Sequence, residues 1–386
     1  MPRAYRRVVV ANSIRKKYVF VDVFCIKENG QPKKEIFQGI SLNRLPIIYN
    51  TRDSLSLQFI KYLVFIVLCF FQTLKYAIKK PYDIIHVHNP PDFLILGAIP
   101  FKLAFKTRII LDLHDMFPEV ISSNLNIQST HFLVKIAELI EKISILFSDA
   151  IICTNNYDKE IILSRNRISP DDVFVVMNSP DLDIMPVKSV PKSTFGLENR
   201  FIILFEGTIW KRRGIQTVID AIDLLKQDLP VTFCIVGDGP YLHELQEYVR
   251  EKKLESHIHF TGWVNLDTLS EYISVSDVCI IPFLNTQVNN RGVPNKLFEY
   301  IVHDKTILSS SLKGIFSTFS EEEITFFEPG NIEDLAIKIQ WCYDNPRAVQ
   351  IKRIKAKNRY YAEYTWDRME NELYRCYEKV MQKGRS

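Results

Sequence analysis

The chain repeats one pattern from end to end, in which a short apolar segment leads through a loop into an amphipathic helix. In the second half, the apolar segments run from Phe201 to Phe205, from Val231 to Val236 and from Val278 to Phe283. Strands that alternate with helices predict parallel sheets covered by helices. With 386 residues, of which 47% are hydrophobic, the chain is long enough for two domains that each bury a core. We therefore predict two doubly wound, Rossmann-like α/β domains.

Residues 186–199 carry prolines and lysines with little periodicity, which is typical of a linker. This segment predicts an N-terminal domain over residues 1–185 and a C-terminal domain over residues 200–345. Residues 346–386 are expected to be helical, and the last helix places Met369, Leu373, Cys376, Tyr377 and Val380 on one face.

The composition excludes several classes of protein. The 49 basic and 45 acidic residues give a net charge of only +4, which does not indicate a nucleic-acid partner. The seven cysteines lie far apart without a CxxC pair, so they are interpreted as buried thiols of a reducing compartment and not as metal ligands. The basic N-terminus is not followed by an apolar segment with a cleavage site, so we expect no secretory signal and a cytoplasmic location.

The most apolar segment, residues 55–80, contains an unbroken apolar run from Tyr62 to Phe71 that is flanked by lysines. This run is about half of the ~20 residues that a membrane-spanning helix needs. Two interpretations remain: a helix buried in its domain, or a helix in the membrane interface whose lysines reach anionic headgroups. Because the phenylalanines lie on more than one face, we favour burial and keep membrane contact as the second interpretation.

Histidines follow two predicted strands of the N-terminal half. His86 and His88 lie at the end of one strand, and His114 follows the next. A lone histidine is more often structural than catalytic. Ligands bind at the carboxyl edge of an open parallel sheet, however, and two such loops at one edge favour a binding site there.

Two loops of the C-terminal half have features of phosphate binding. The loop from Gly207 to Gly214 carries Arg212 and Arg213 and precedes a predicted amphipathic helix from Ile215 to Leu225. Backbone N–H groups and guanidinium groups both favour an anion at such a strand-to-helix turn. The alternative is an exposed basic turn. Gly237 and Gly239 form only part of a dinucleotide fingerprint, because the third glycine is absent.

A helix is predicted to begin at Pro294 and Asn295. Its free N–H groups and partial positive charge would attract a diphosphate. Lys296, Glu299 and Tyr300 share one face of this helix, and the intervening apolar residues face a core. The alternative is a surface helix with a local Lys/Glu pair.

These segments form an ordered set of motifs. The C-terminal motifs are Gly207-Thr208 with Arg213-Gly214, Val236-Gly237-Asp238-Gly239-Pro240, Phe260-Thr261-Gly262, Ser276-Asp277-Val278 and Pro294-Asn295-Lys296-Leu297-Phe298-Glu299-Tyr300. The N-terminal motifs are Tyr82-Asp83-Ile84-Ile85-His86-Val87-His88-Asn89, Leu113-His114-Asp115 with Pro118-Glu119, and Asn178-Ser179-Pro180-Asp181. As a set, they resemble the retaining glycosyltransferases of family 4 over nearly the whole chain. The most similar branch builds bacterial capsule, O-antigen and exopolysaccharide repeat units.

The resemblance implies the GT-B fold, with two domains facing each other across a cleft. It implies a nucleotide-diphosphate sugar donor, with UDP as the default base, net retention, and no metal or other cofactor. It implies that Arg213 binds the diphosphate, that Glu299 accepts hydrogen bonds from the donor ribose and that His114 contacts the donor sugar. The implied nucleotide-sugar-binding residues are Gly207, Thr208, Arg212, Gly237, Gly239, Val264, Pro294, Asn295 and Lys296. The expected acceptor is a lipid-linked glycan, with peripheral attachment to the inner face of the cytoplasmic membrane through residues 55–80.

The sequence departs from the family pattern in three places. Arg291 stands where a second glutamate is usual, and Thr208 stands where an arginine is usual. The chain opens on a predicted helix over residues 3–17, so the first strand of the N-terminal domain is expected to be missing. Two alternatives are a non-catalytic partner subunit, disfavoured by the retained His114, Arg213 and Glu299, and a nucleotide-sugar epimerase, for which no acid/base carboxylates are identified. A nicotinamide dehydrogenase is disfavoured because no complete GxGxxG follows a strand.

Overall fold

The computed structural model describes residues 5–18, 20–27, 30–48, 54–125, 127–180, 182 and 185–383. Residues 3 and 4 of the predicted first helix, and Asp181 of the motif after Asn178, lie outside these ranges. The chain divides into two compact units. The first unit comprises residues 1–154, 158–177 and 369–386, and the second comprises residues 155–157 and 178–368.

The described strands of the first unit form two sheets. One is parallel with the order β4-β5-β6-β7, and the other has the order β1-β3-β2, in which β1 runs parallel and β2 antiparallel to β3. Strands β5 and β6 are buried on both faces and, apart from Arg108 and Asp112, apolar, as parallel strands between two layers require. In chain order the elements are α1 (Tyr5–Lys17), β1 (Asp22–Ile26), β2 (Lys34–Phe37), β3 (Ile40–Leu45), α2 (Leu55–Ala77), β4 (Ile84–His88), α3 (Ile99–Phe105), β5 (Arg108–Leu113), α4 (Phe117–Leu125), α5 (Phe132–Phe147), β6 (Ala150–Cys153), α6 (Asn156–Arg165) and β7 (Val173–Val175).

The second unit contains a parallel sheet with the strand order β10-β9-β8-β11-β12-β13. The first strand of the unit, β8, lies inside the sheet, and the direction of winding reverses between β8 and β11. This order confirms the predicted doubly wound domain. Its elements are β8 (Phe201–Glu206), α7 (Ile215–Leu225), β9 (Val231–Val236), α8 (Leu242–Glu251), β10 (Ile258–Gly262), α9 (Leu266–Val275), β11 (Val278–Ile281), α10 (Gln287–Arg291), α11 (Asn295–Val302), β12 (Thr306–Ser310), α12 (Lys313–Phe316), β13 (Thr325–Phe327), α13 (Ile332–Asp344) and α14 (Pro346–Arg359).

Local sequence explains the regular geometry of the second unit. Helix α7 buries apolar residues that recur at helical spacing, Ile215, Val218, Ile219, Ile222 and Leu225. It begins directly after Gly214, whose φ of +67° suits a residue without a Cβ. The predicted bounds of this helix and of strand β9 are confirmed to the residue.

The last helix, α15 (Trp366–Gln382), belongs to the first unit from Met369 onward. Its predicted apolar face is buried, and Leu373, Cys376 and Val380 have no exposed surface. The Tyr374 hydroxyl donates to the carbonyl of Ser13 at 2.8 Å. The helix therefore supplies part of the core of the first unit, although it lies far from that unit in sequence.

Helix α2 is largely exposed, so our preferred interpretation of residues 55–80 as a buried helix is wrong. Only 6% of its most apolar stretch is buried. Its contacts with the first unit include those of the buried Thr73 and Ala77 and a ring contact between Phe70 and Phe101, with centroids 5.4 Å apart. Among the described helices, Ser56–Ala77 is the one long enough and apolar enough, by length and composition alone, to cross a membrane.

Candidate functional site

In the second unit, the loops that follow β8 and β11 meet at the point where the strand order reverses. The backbone N–H of Leu284 donates to the carbonyl of Arg212 at 3.1 Å. A Cβ on Gly214 would lie 1.9 Å from the carbonyl oxygen of Pro282, so only glycine fits between the loops. This contact fixes the basic loop at the carboxyl edge of the sheet, where ligands of doubly wound sheets bind.

The loop after β8 also packs against the loop after β9. A Cβ on Gly237, which has a φ of +138°, would lie 2.1 Å from the carbonyl oxygen of Gly207. A Cβ on Gly239 would lie 2.3 Å from the carbonyl oxygen of Ile209. These glycines therefore allow two backbone segments to touch, and their closeness leaves the loop surface free of side chains at that point.

Two cationic side chains converge beside these loops. The Arg213 guanidinium lies 4.0 Å from the ring centroid of Phe283, and the Lys296 ammonium lies 5.4 Å from the same centroid and 4.1 Å from that of Phe205. Lys296 donates a hydrogen bond to the carbonyl oxygen of Glu206. A guanidinium and an ammonium thus face the end of β8 together, in an arrangement suited to an anion.

Burial governs the protonation of this site. Burial is the main reason that the pKa of Lys296 falls from 10.5 to about 8; Glu206 opposes the shift, Arg213 adds to it and Glu299 opposes it. Burial also raises the pKa of Glu299, and the nearby Glu206 carboxylate adds to that rise. An anionic ligand would favour the protonated form of Lys296, so negative charge and a proton would bind to this site together.

Helix α11 begins at Asn295 after Pro294, as predicted, but it is buried on all its sides. Lys296 is 9% exposed, Glu299 6% and Tyr300 0%, so the polar face is as enclosed as the apolar face. The polar face packs against the end of β8, where the Glu206 N–H donates to the Tyr300 hydroxyl at 3.3 Å. The prediction that Leu297, Phe298 and Ile301 face a core is confirmed, and the alternative of a surface helix is wrong, because the polar face is buried as well.

Two further residues predicted for the donor site, Thr208 and Val264, lie in the segments after β8 and β10. Thr208 is exposed, and Val264 is half-buried in the segment after β10. The adjacent Gly262 carbonyl accepts a hydrogen bond from Gly237 at 2.9 Å. In the described residues, no hydrogen bond, ion pair or ring contact joins Thr208 or Val264 to Lys296.

A second cluster of polar side chains lies in the first unit, where His86 and His88 share one face of β4. Strand pairing places Asp112 opposite His88, and His114 follows Asp112 by two residues. The Oδ2 atom of Asp112, which is fully buried, lies 3.5 Å from Nε2 of His86, 3.1 Å from Nδ1 of His88 and 3.4 Å from Nε2 of His114. Burial lowers the pKa of His88 well below its ordinary value, and the neighbouring His86 contributes to the shift.

Asn89 fixes the loop that carries His114. Its side-chain oxygen accepts a hydrogen bond from the backbone N–H of His114 at 2.6 Å, and its amide nitrogen donates to Oδ1 of Asp92 at 2.7 Å and to the carbonyl of Asp115 at 2.6 Å. The loops after β4 and β5 are therefore tied together, and His114 is held at the sheet edge that the sequence predicted.

Comparison with protein families assigns both halves of the chain. Residues 8–184 match the family described as Glycosyltransferase Family 4, and residues 200–345 match the family described as Glycosyl transferases group 1. The chain belongs to glycosyltransferase family 4.

Curated relatives of this family 4 chain are distant. It is 25% identical over 215 residues to the UDP-Gal:alpha-D-GlcNAc-diphosphoundecaprenol alpha-1,3-galactosyltransferase of Escherichia coli, a match that covers 53% of each protein. It is 22% identical over 298 residues to the uncharacterized glycosyltransferase MJ1069 of Methanocaldococcus jannaschii, covering 74% of this chain and 72% of that protein. The match thus spans about half the length of the galactosyltransferase.

Solved structures show the same fold. Sucrose-phosphate synthase of Thermosynechococcus elongatus superposes with a TM-score of 0.79 at 17% identity, covering 98% of this chain and 93% of that protein. Anabaena Alr3699/HepE in complex with UDP superposes with a TM-score of 0.70 at 13% identity, covering 96% and 95%. The family 4 chain therefore has the GT-B fold that its sequence motifs implied.

Sequence reasoning missed two residues of these clusters in the family 4 chain. Glu206 joins Lys296 and Tyr300 through its backbone, and its carboxylate influences the pKa of Glu299. Its position directly after the predicted strand Phe201–Phe205 could have identified it. Asp112 was also missed, although its spacing of two residues from His114 places both side chains on one face of the sheet.

Asp92 carries a testable consequence of burial. It has no exposed surface, and among the described residues its Oδ2 atom has no hydrogen-bond partner. Burial raises its pKa to about 8, so between about pH 4 and pH 8 the folded state holds a proton that the unfolded state has released, and the free energy of unfolding falls as pH rises. Asp92→Asn, which is uncharged, should stabilise the protein by about 1–3 kcal/mol at pH 7.

Urea unfolding of the wild type and of Asp92→Asn at pH 5 and pH 7.5 checks this result. The free energy of unfolding of Asp92→Asn should exceed that of the wild type by more at pH 7.5 than at pH 5. Asp115→Asn, which removes an exposed carboxylate from the same loop region, is the matched control and should leave the free energy of unfolding unchanged at both pH values. If the free energy of unfolding of the wild type rose relative to that of Asp92→Asn as pH increased, the raised pKa of Asp92 would be contradicted.

Proposed function

We propose that the chain transfers a sugar, with retention at the anomeric carbon, from a nucleotide-diphosphate donor to a lipid-linked or growing polysaccharide acceptor. The observation that carries this proposal is the convergence of Arg213 and Lys296 at the switch point of the second sheet. UDP is the proposed base, because the Escherichia coli relative is named for UDP-Gal and Anabaena Alr3699/HepE was solved with UDP. The name of the Escherichia coli relative also supports a lipid-diphosphate acceptor.

The proposed chemistry follows from charge. As the bond between the sugar and the diphosphate breaks, the leaving diphosphate becomes more negative. Arg213, protonated Lys296 and the N-terminus of α11 would stabilise that charge where it develops. Because these groups supply the positive charge that a metal ion supplies in other transferases, the proposed transfer needs no metal and no other cofactor.

The remaining site residues have proposed roles that rest on the family resemblance. Glu299, once ionised, would accept hydrogen bonds from the ribose hydroxyls. Gly207, Gly237 and Gly239 would let the nucleotide approach the backbone closely, and His114 would contact the donor sugar. A Cβ on Gly207 would lie 3.0 Å from Nζ of Lys296, so the lack of a side chain at Gly207 supports the second of these roles.

A transfer assay tests the proposal. The purified chain is incubated with a panel of UDP-sugars and lipid-diphosphate oligosaccharides, with and without EDTA. We expect release of UDP and extension of the lipid-linked glycan, unchanged by EDTA, with an anomeric configuration that matches the donor. Binding of a UDP-sugar without turnover across the panel would favour a non-catalytic partner subunit, and conversion of the donor sugar without an acceptor would favour an epimerase.

We further propose that the protein attaches to the inner face of the cytoplasmic membrane through helices α2 and α5. In α5, apolar side chains at helical spacing are exposed, whereas Glu141 and Ser144 point into the protein. The buried face also carries Val134, Ala137 and Ile145, so α5 is apolar on more than one side, unlike an ordinary surface helix. The exposed apolar residues of the two helices are Leu57, Phe59, Ile60, Leu63, Val64, Val67 and Phe71 in α2, and Phe132, Leu133, Ile136, Leu139, Ile143 and Leu146 in α5.

Contacts through one short segment bring the two helices to the same side of the first unit. The 3-10 helix Asp92–Gly97 carries Phe93, whose ring centroid lies 5.5 Å from that of Phe59 in α2. The Ser144 hydroxyl of α5 donates to the carbonyl of Asp92 at 3.1 Å. Helix α2 contains lysines and no acidic residue. An apolar surface flanked by lysines suits an anionic membrane interface.

Vesicle flotation tests this attachment. The wild type should float with vesicles that contain anionic lipid, and Val67→Asp with Leu139→Asp should lower the partition coefficient at least about tenfold, because each inserted side chain contributes roughly 1.5–3 kcal/mol. Leu224→Asp, in the second unit, is the matched control: Leu224 is 56% exposed, against 51% for Val67 and 57% for Leu139. Flotation of the double variant at the wild-type level would argue against the proposal.

A further inference from the structure

The loop that carries Arg213 is held by hydrogen bonds to one of its backbone carbonyl groups. A 3-10 helix of three residues, Lys211–Arg213, cannot satisfy its last carbonyl groups internally. The carbonyl oxygen of Arg212 accepts a hydrogen bond from the backbone N–H of Leu284 at 3.1 Å and a second from the side-chain amide of Asn289 at 2.8 Å. Both lone pairs of this oxygen are therefore used, and both donors belong to the segment after β11.

Asn289 joins the two loops through one side chain. It lies in α10 and is 5% exposed. The amide nitrogen that donates to Arg212 also donates to the carbonyl of Leu284 at 2.9 Å. Its backbone N–H donates to the hydroxyl of Thr286 at 3.2 Å, so the residue is itself fixed in the first turn of the helix. An amide carries two donors on one nitrogen, and here each donor has a carbonyl oxygen as its partner.

These two hydrogen bonds lie beside the group that the proposed transfer uses. Arg213 directly follows Arg212, and its guanidinium lies 4.0 Å from the ring centroid of Phe283, which directly precedes Leu284. Asn289 thus holds the residue next to the guanidinium and the residue next to its aromatic contact. A shift of about 1 Å in a positioned group can lower a rate about 10²-fold, so this restraint would affect the rate as well as the fold.

We propose that Asn289 is a positioning residue for sugar transfer. Its amide holds the loop after β8 so that the guanidinium of Arg213 meets the leaving diphosphate. The role rests on the proposed function, because Asn289 acts through Arg213. It follows that the side chain of Asn289 should matter for the rate only while Arg213 is present.

A kinetic double-mutant cycle tests this role. Asn289→Ala, which removes both donors, should lower kcat at least about tenfold in the otherwise wild-type chain, because the guanidinium is misplaced. In Arg213→Met, where there is no guanidinium to position, the same change should lower kcat less than about twofold. Losses by an equal factor with and without Arg213 would indicate a merely structural role and would overturn the proposal.

Asn290→Ala is the matched control. Asn290 lies in the same helix, but its side-chain oxygen accepts a hydrogen bond from the backbone N–H of Lys313 at 3.0 Å and so holds a different segment. Any loss of kcat in this variant should be the same with and without Arg213. A dependence on Arg213 as large as that of Asn289→Ala would mean that the whole of α10 is responsible, which would overturn the specific role of Asn289.

Hydrogen exchange measured by mass spectrometry gives a readout that does not depend on activity. Peptides that cover residues 207–214 should exchange about fivefold faster in Asn289→Ala than in the wild type, because the loop loses a hydrogen bond that resists its opening. Peptides from α8 should exchange at the wild-type rate. Circular dichroism verifies that each variant is folded. If Asn289→Ala does not fold, Asn289→Ser, which can still donate one hydrogen bond, takes its place in both experiments.

The results distinguish failure of this role from failure of the proposed function. A wild type that transfers no sugar from any donor would overturn the proposed function, and the role of Asn289 in transfer with it. Equal losses of kcat in the two backgrounds, in an active wild type, would overturn only the role of Asn289. Unchanged exchange of residues 207–214 in Asn289→Ala would overturn that role in either case.

Discussion

Arg213→Met is expected to lower kcat for sugar transfer by about 10²–10³-fold, the usual cost of removing one group that stabilises developing negative charge. The guanidinium lies against the ring of Phe283, and the methionine side chain can keep that apolar contact. The fold should therefore survive, and the loss should reflect the missing charge on the leaving diphosphate. Donor KM is expected to change much less than kcat, because the charge develops mainly in the transition state.

Steady-state kinetics with UDP-sugar and acceptor measure this result. Lys211→Met removes a neighbouring basic residue of the same loop whose side chain is 76% exposed, and it should change kcat less than about twofold. Equal losses in Arg213→Met and Lys211→Met would mean that the loop acts through its general positive charge and that Arg213 has no specific role.

Lys296→Met is expected to lower kcat/KM by about 10²-fold while changing the free energy of unfolding by less than about 1 kcal/mol. The variant loses the hydrogen bond to the Glu206 carbonyl, but it also removes the cost of burying an ammonium group. Methionine has a similar length and can occupy the space beside Phe205. A loss of activity without a loss of stability would separate the proposed role of Lys296 from a merely structural one.

The pH dependence gives this variant a second readout. Burial lowers the pKa of Lys296 from 10.5 to about 8, so between these pH values the unfolded state binds more protons and the free energy of unfolding rises with pH. The ammonium that would bind diphosphate is lost over the same range, so kcat/KM of the wild type should fall as pH rises through about 8. Lys296→Met should lack this limb of the pH profile.

Lys305→Met is the matched control. Burial also lowers the pKa of Lys305, which donates to the carbonyls of Ser274 at 2.6 Å and Ser276 at 3.0 Å, away from the cluster. This variant should lose stability and retain turnover. The proposed role of Lys296 would fail if Lys296→Met kept near-wild-type kcat/KM, or if its activity fell only in proportion to unfolding.

Much of the second unit was predictable because its signals are local. Strand β9 and helix α7 were predicted to the residue, since an apolar run and a 3.6-residue period each depend on a few neighbouring positions. The start of α11 at Asn295 was likewise marked by Pro294. The basic loop and the glycine pair were recognisable as candidates, because glycine and arginine have distinct backbone and charge properties wherever they occur.

Burial was predicted less well. Periodicity identified that Lys296 and Glu299 share a face of α11, but it could not tell that this face packs against the end of β8. Composition identified α2 as apolar, but an apolar helix can face a core or a membrane, and only its few contacts with the first unit decided against a core.

The sequence by itself determined the alternation of strands and helices, the family, and the residue types available at each loop, because these depend on neighbours along the chain. The tertiary structure alone decided that Arg213 and Lys296 both lie close to the ring of Phe283, and that Asp112 meets three histidines. These groupings join residues far apart in sequence. The physical reason is that the pairing and order of parallel strands, which no local pattern specifies, set which loop ends meet and which side chains lose contact with water.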